Sequence, residues 1–106
     1  MQRQILKQMQ QMQAKMQMDI ASAQKELETA TVEGVAGGGS VKVVITGGQV
    51  AKSVKIAKEA VDPEDVEMLE DLILVALNDG LEKSRDLSSA RMNRVASGLN
   101  LPKGLF

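Results

Sequence analysis

Two stretches with helical character, each about thirty residues long, enclose a short β-rich stretch marked by Gly37-Gly38-Gly39 and Gly47-Gly48 in a chain of 106 residues. At a rise of ~1.5 Å per residue, each helix would run roughly 45 Å. A compact domain of this size has a radius of gyration of only ~13 Å. The helices must overhang the body, and an apolar stripe on an overhanging helix needs a partner. The length predicts one domain, residues 1–106, and the overhang predicts a dimer with projecting helical arms. The segments are an N-terminal helical arm (1–30), a β-meander (31–57), a second helix (62–97) and a tail (98–106).

In the first segment, Ile5, Met9, Met12, Met16, Ile20, Ala23 and Leu27 recur at steps of three and four, which is one face of a helix. Arg3, Lys7 and Lys15 fall on the opposite side when each residue is advanced ~100°. Gln residues fill much of the remaining surface; they are good helix formers and can donate to phosphate or water. Met9, Met12 and Met16 could be imagined as thioether ligands of Cu(I). With no Cys or His to assist, an adaptable apolar contact is the better reading.

The middle segment predicts three antiparallel strands. Gly37-Gly38-Gly39 closes the first β-branched run, Val41 to Thr46 forms the second, and Gly47-Gly48 is a two-residue hairpin signal before Gln49 to Ala57. Gly37-Gly38-Gly39 lacks the Lys-Ser/Thr and following helix of a phosphate loop, so it reads as a turn. For the second helix, Asp62 is the expected N-cap and Pro63 the first helical residue, with Val61 and Val66 as a hydrophobic staple. Leu69, Leu72, Ile73, Ala76, Leu77 and Leu81 make a broad apolar face that Leu74 and Val75 widen, which predicts burial by both the sheet and another subunit. Pro102 keeps the tail non-helical.

The chain has no His, Cys, Trp or Tyr and one Phe. That removes thiolate and imidazole metal sites, disulfides and imidazole acid–base chemistry. Glu64, Asp65, Glu67, Glu70 and Asp71 form an acidic cluster, but with no water-excluded pocket to desolvate one acid they read as a solvated face. The expectation is a protein that is not an enzyme, with no cofactor, no metal and no small-molecule substrate. No apolar run reaches the ~20 residues of a membrane span, and the N-terminus lacks a signal-peptide core, so no membrane partner is expected and the cytoplasm is the default location.

Net charge is −1, but it is unevenly divided. Residues 1–18 carry Arg3, Lys7 and Lys15 and no acid, residues 59–82 carry nine acids and no base, and residues 83–106 carry five bases against Asp86. Basic ends and an acidic middle point to a polyanion or an oppositely charged partner.

Three blocks carry a resemblance: Gly37-Gly38-Gly39-Ser40-Val41-Lys42-Val43 with Val54-Lys55-Ile56 after it, Asp65-Val66-Glu67-Met68-Leu69-Glu70-Asp71-Leu72-Ile73 with Ala76-Leu77-Asn78-Asp79, and Ser97-Gly98-Leu99-Asn100-Leu101-Pro102-Lys103-Gly104. Together with the Gln/Met-rich first helix they resemble the bacterial YbaB/EbfC nucleoid-associated proteins over nearly the whole chain. The resemblance implies an α+β, α-β-β-β-α subunit: a three-stranded antiparallel meander flanked by two long helices, in an intertwined dimer with arms like tweezers. It also implies binding to double-stranded DNA in the nucleoid through the projecting helices. The matching DNA-binding positions are Arg3, Lys7 and Lys15 on the first arm and Lys83, Arg85, Arg91 and Arg94 on the second. Lys52, Lys55 and Lys58 offer an alternative basic surface. A different class of function, a protein-binding or chaperone-like helix-hairpin-helix module, would also suit Met-rich arms. Lacking stacking aromatics, the chain is poorly equipped for single strands, so the duplex is the favoured polyanion.

Overall fold

A computed structural model describes residues 2–98 of the chain. Helix α1 (Gln2–Thr29) leads into strands β1 (Thr31–Ala36), β2 (Val41–Thr46) and β3 (Ala51–Ile56), and helix α2 (Val66–Gly98) follows. The strands form one antiparallel sheet in the order β1-β2-β3. The predicted tail from Leu99 onward lies outside the described residues. The predicted overhang is present: the molecule measures 76 × 24 × 16 Å, with a radius of gyration of 20.4 Å.

The core is small and one-sided. Val41, Val43 and Ile45 alternate onto one face of β2 and are fully buried, with Ala36 beside them. The first half of α2 covers this face through Ala76, with Leu69, Leu72, Ile73, Leu77 and Leu81 around it. Each fully buried Val or Ile contributes about 1.5–3 kcal/mol. Cover stops short of β3. Val54 pairs with Val43 and Ile56 with Val41, so both share the core face, yet every residue of β3 is exposed. The apolar flank of α2 at Leu74 and Val75 is open as well, each more than half exposed.

Helix α2 can reach β1 so closely because both sides present glycine. A Cβ built on Gly34 would collide with the carbonyl oxygen of Ala76 and come within 2.5 Å of the Gly80 nitrogen. A Cβ on Gly80 would lie 2.7 Å from Ile45 Cδ1. A second close approach ties α1 to the hairpin. The Gly47 N–H donates to the Ala30 carbonyl at 2.9 Å, and a Cβ on Gly47 would meet Leu27 Cδ2 at 2.6 Å. Behind it, the buried Ser84 hydroxyl donates to the Thr46 carbonyl at 2.8 Å, joining α2 to the end of β2.

Two local expectations are corrected. The β2–β3 turn is not a two-residue Gly-Gly hairpin. The Thr46 N–H donates to the Val50 carbonyl at 2.8 Å and the Gln49 N–H to the Thr46 carbonyl at 3.0 Å, a three-residue loop. Gln49 takes the left-handed position (φ 64°). Gly47 is there for its contact with Leu27, not for its φ. In the β1–β2 turn the reading as a glycine turn holds, since Gly37, Gly38 and Gly39 all have positive φ, which glycine adopts without steric cost. The second correction is the helix start. Asp62 accepts from the Glu64 N–H at 3.0 Å and forms a turn of its own. The N-cap is Asp65, whose carboxylate accepts from the Met68 N–H at 3.2 Å. Pro63 therefore lies before the helix, and Val61 and Val66, both exposed, make no staple. The run offers two aspartates that can cap, and the first is taken up by the turn before the helix.

The two edges of the sheet differ. On β1, the Val35 N–H donates to Asp79 Oδ2 at 3.0 Å, and Lys83 Nζ donates to the Glu33 carbonyl at 2.9 Å. Asp79 and Lys83, one turn apart on α2, also pair with each other at 3.0 Å. The pair supplies the acceptor and donor that a neighbouring strand would offer, and so blocks the edge. The Val35 N–H, and then the hydrogen bond from Lys83, hold the Asp79 carboxyl below its ordinary pKa.

Two outcomes are expected. Gly34→Ala should destabilise the protein by about 3 kcal/mol, because the obstructing atoms are backbone and cannot swing aside; urea denaturation at fixed protein concentration measures it. Because the folded pKa of Asp79 is lowered, its stabilising contribution is complete above an unfolded aspartate's pKa of about 3.9 and is lost as pH falls through the lower folded value. Asp79→Asn should therefore reduce stability at neutral pH and flatten the loss on acidification, as followed by thermal melts from neutral pH downward.

Candidate nucleic-acid interface

A surface that attracts a polyanion must hold cations that no internal acid has already claimed. The α1 cations meet this condition. Arg3 and Lys7 are one turn apart, and Lys15 lies about 12 Å further along the axis. All three are exposed, as is every residue from Gln2 to Lys15. None of the three takes part in an ion pair among the described residues. The helix here is amphipathic in an unusual setting. Its apolar stripe is half-buried or buried from Met16 through Ile20, Ala23 and Leu27, but continues outward as Ile5, Met9 and Met12, each more than half exposed.

The α2 cations are divided. Lys83 is held at the β1 edge by Asp79 and the Glu33 carbonyl. Arg91 is half-buried and reaches across to α1, where its guanidinium pairs with Glu26 at 3.1 Å. Arg94 is exposed and shares a shallow crevice of about 250 Å³ with Arg91, Asp19, Ser22 and Glu26. Arg85 is exposed, and neither it nor Arg94 has an ion-pair partner among the described residues. The structure thus brings Arg91 and Arg94 together where the helices meet. It leaves the α1 trio on the stretch where α1 is exposed all round.

The sheet holds the second basic surface. Lys42 and Lys55 are cross-strand partners, and Lys42 lies 3.8 Å from Glu33. Lys52 falls at the register shift between β2 and β3 and has no residue opposite. Sequence reasoning names Lys52, Lys55 and Lys58 but misses Lys42, because counting back from the turn does not pair it with Lys55; the register shift between β2 and β3 does. It also misses the partners of Lys83 and Arg91. Asp79 stands four residues before Lys83, a readable spacing. Glu26 is 65 residues from Arg91, and nothing local connects them.

Among the described residues no group of three or more His, Cys, Asp or Glu could hold a metal ion. A broad groove of about 790 Å³ runs between the end of α1, the β2–β3 hairpin and α2, lined by Leu27, Thr46, Val50, Ser88 and Met92 among others, with Glu28 and Lys52 as its titratable groups. No helix among the described residues is long and apolar enough to cross a membrane.

The chain is 54% identical over 88 residues to a nucleoid-associated protein of Bacillus cereus strain B4264, covering 83% of this chain and 81% of that one. It is 52% identical over the same length to a nucleoid-associated protein of Bacillus thuringiensis strain Al Hakam, with the same coverage. The fold matches the crystal structure of an uncharacterised Helicobacter pylori protein, HP0035, with a TM-score of 0.68 at 22% identity, over 88% of this chain and 95% of that one. The model of the YbaB/EbfC DNA-binding family matches residues 1–99. An α-β-β-β-α subunit with cationic helical arms and this degree of kinship has one assignment: the chain belongs to the YbaB/EbfC DNA-binding family.

Proposed function

We propose that this protein is a homodimeric nucleoid-associated protein that binds double-stranded DNA, mainly through phosphate contacts from its helical arms, in an architectural or regulatory role in the bacterial nucleoid. The observation that carries the reading is the cationic trio Arg3, Lys7 and Lys15, without an ion-pair partner among the described residues, on an exposed helix with no acid before Asp19. Family membership and the names of the Bacillus relatives support it. Arg85, Arg91 and Arg94 extend the surface along α2. Arg91 must exchange Glu26 for phosphate, and Lys83 must leave the β1 edge, so both rank below the α1 trio. Phosphate contacts of this kind position a protein on the duplex and are strongly weakened by salt.

Dimerisation has its own support. Val54 and Ile56 on β3, together with Leu74 and Val75 on α2, form apolar surface that the protomer leaves open. The β1 edge is blocked and the β3 edge is free, so a second copy has one side of the sheet to approach. The exposed Ile5, Met9 and Met12 are further apolar surface for a second copy to cover. The same exposed stripe favours the alternative of a holder for unfolded chains, whose binding would be insensitive to salt.

Duplex binding by the full chain, followed by fluorescence anisotropy from 50 to 200 mM salt, separates these readings. If six to ten phosphates are engaged, affinity should fall by about 10³–10⁵ over that range. Replacing Arg3, Lys7 and Lys15 by Gln should weaken binding and lower the salt slope by about 0.9 for each phosphate no longer neutralised, while sizing shows an unchanged dimer. Replacing Lys83 alone should change the slope much less. A monomer indifferent to duplex at low salt would end the proposal.

A further inference from the structure

Phosphate contacts leave unexplained what the rest of the exposed α1 surface does. Seven of the first seventeen residues are Gln, and two of them occupy a particular place. With each residue advanced about 100° around the axis, Gln11 and Gln4 fall in the arc between Lys7 and Lys15, on the side away from the apolar stripe. Lys7, Gln11 and Lys15 succeed one another at intervals of four residues. Ala14 lies in the same outward sector between Arg3 and Lys7, where its small side chain lets the helix backbone come close to whatever it faces. Gln4 and Gln11 are exposed, and neither side chain hydrogen-bonds to another described residue.

A helix face with cations at its margins and free amides at its centre has the layout of a groove reader. The cations meet the two phosphate walls, and the amides meet the base edges between them. The major groove, about 12 Å wide, admits a single α-helix. Residues 2–15 form such a helix, about 21 Å long, with no described residue packed closely enough to bury any of its side chains. If a partner copy covers the Ile5, Met9 and Met12 stripe, the Gln face is still outward. In the major groove a Gln amide is a bidentate match for adenine: its NH₂ donates to N7 and its carbonyl accepts from the N6 amino group. The minor groove offers no comparable pairing.

We infer that Gln4 and Gln11 read adenine edges in the major groove, giving the protein a preference for A·T-containing duplex. The inference rests on the duplex-binding reading and adds to it the base that is recognised. Their separation of seven positions spans about 10 Å along the axis, which is close to three base steps of about 3.4 Å. The preferred sites should therefore hold two adenines about three steps apart.

The test uses the full chain and 20-base-pair duplexes of equal length. One carries adenines three steps apart, one has G·C at those positions, and one has 7-deazaadenine in place of adenine. The last removes the N7 acceptor in the major groove and leaves the minor groove unchanged, so it separates base reading from sequence-dependent groove width. The wild type should bind the adenine duplex at least about fivefold more tightly than either of the others, the lower bound for one good bidentate contact. Gln4→Ala with Gln11→Ala should erase that difference and keep the salt slope. These changes favour the helix, so loss of folding does not confuse the result. Lys7→Gln with Lys15→Gln should lower the slope and keep the preference. Equal affinity of the wild type for all three duplexes, or a preference that survives the double Gln variant, would overturn the inference while the duplex-binding reading stands. Absence of any duplex binding at low salt would overturn both.

Discussion

The contact between Gly34 on β1 and Gly80 on α2 sets the geometry on which the rest of this molecule depends. Only without side chains on both elements can the helix backbone come against the strand backbone. That approach seats Ala76 in the core and brings Asp79 and Lys83 to the β1 edge. It also puts Ser84 under the Thr46 carbonyl. Past Ser84 the helix has left the sheet, and its remaining partner in the protomer is α1. The arm begins where the glycine-mediated contact ends.

Placing α2 over β1 and β2 has a cost on the other side. The core face of β3 goes uncovered, and Val54 and Ile56 face solvent, as do Leu74 and Val75 on α2. A sheet with one blocked edge and one open, half-apolar edge is suited to a single kind of association, because strand addition at β1 would have to displace an ion pair and two hydrogen bonds. The charges are arranged in the same sense. The acids crowd the start of α2, while Arg3, Lys7 and Lys15, which have no ion-pair partner among the described residues, lie on the exposed first half of α1.

The main elements were legible because their signals are local and repeated. A seven-member apolar stripe at steps of three and four identifies α1, and the glycine pairs and β-branched runs mark the meander. The errors came where one local signal had rivals. Asp62 and Asp65 can both cap a helix, and the structure uses Asp65 for α2 while Asp62 closes a turn of its own. Gly47-Gly48 looked like a two-residue turn because glycine tolerates positive φ. The structure uses Gly47 for its absent side chain, and puts Gln49 in the left-handed position. For the candidate interface, the cationic segments were visible as charge runs, but the engagement of Arg91 by Glu26 was not.

Composition and periodicity by themselves determined that two long helices flank a meander, that they overhang it, and that unbalanced positive charge sits on the first. Those properties depend on residues near one another in the chain, through helical spacing, turn chemistry and local charge. Only the tertiary structure decided which cations remain available, which sheet edge is closed and which apolar residues stay in water. Those are outcomes of contacts between residues tens of positions apart, Gly34 with Gly80, Val35 with Asp79 and Glu26 with Arg91. No local pattern encodes such pairings, because each depends on how closely two backbones can approach.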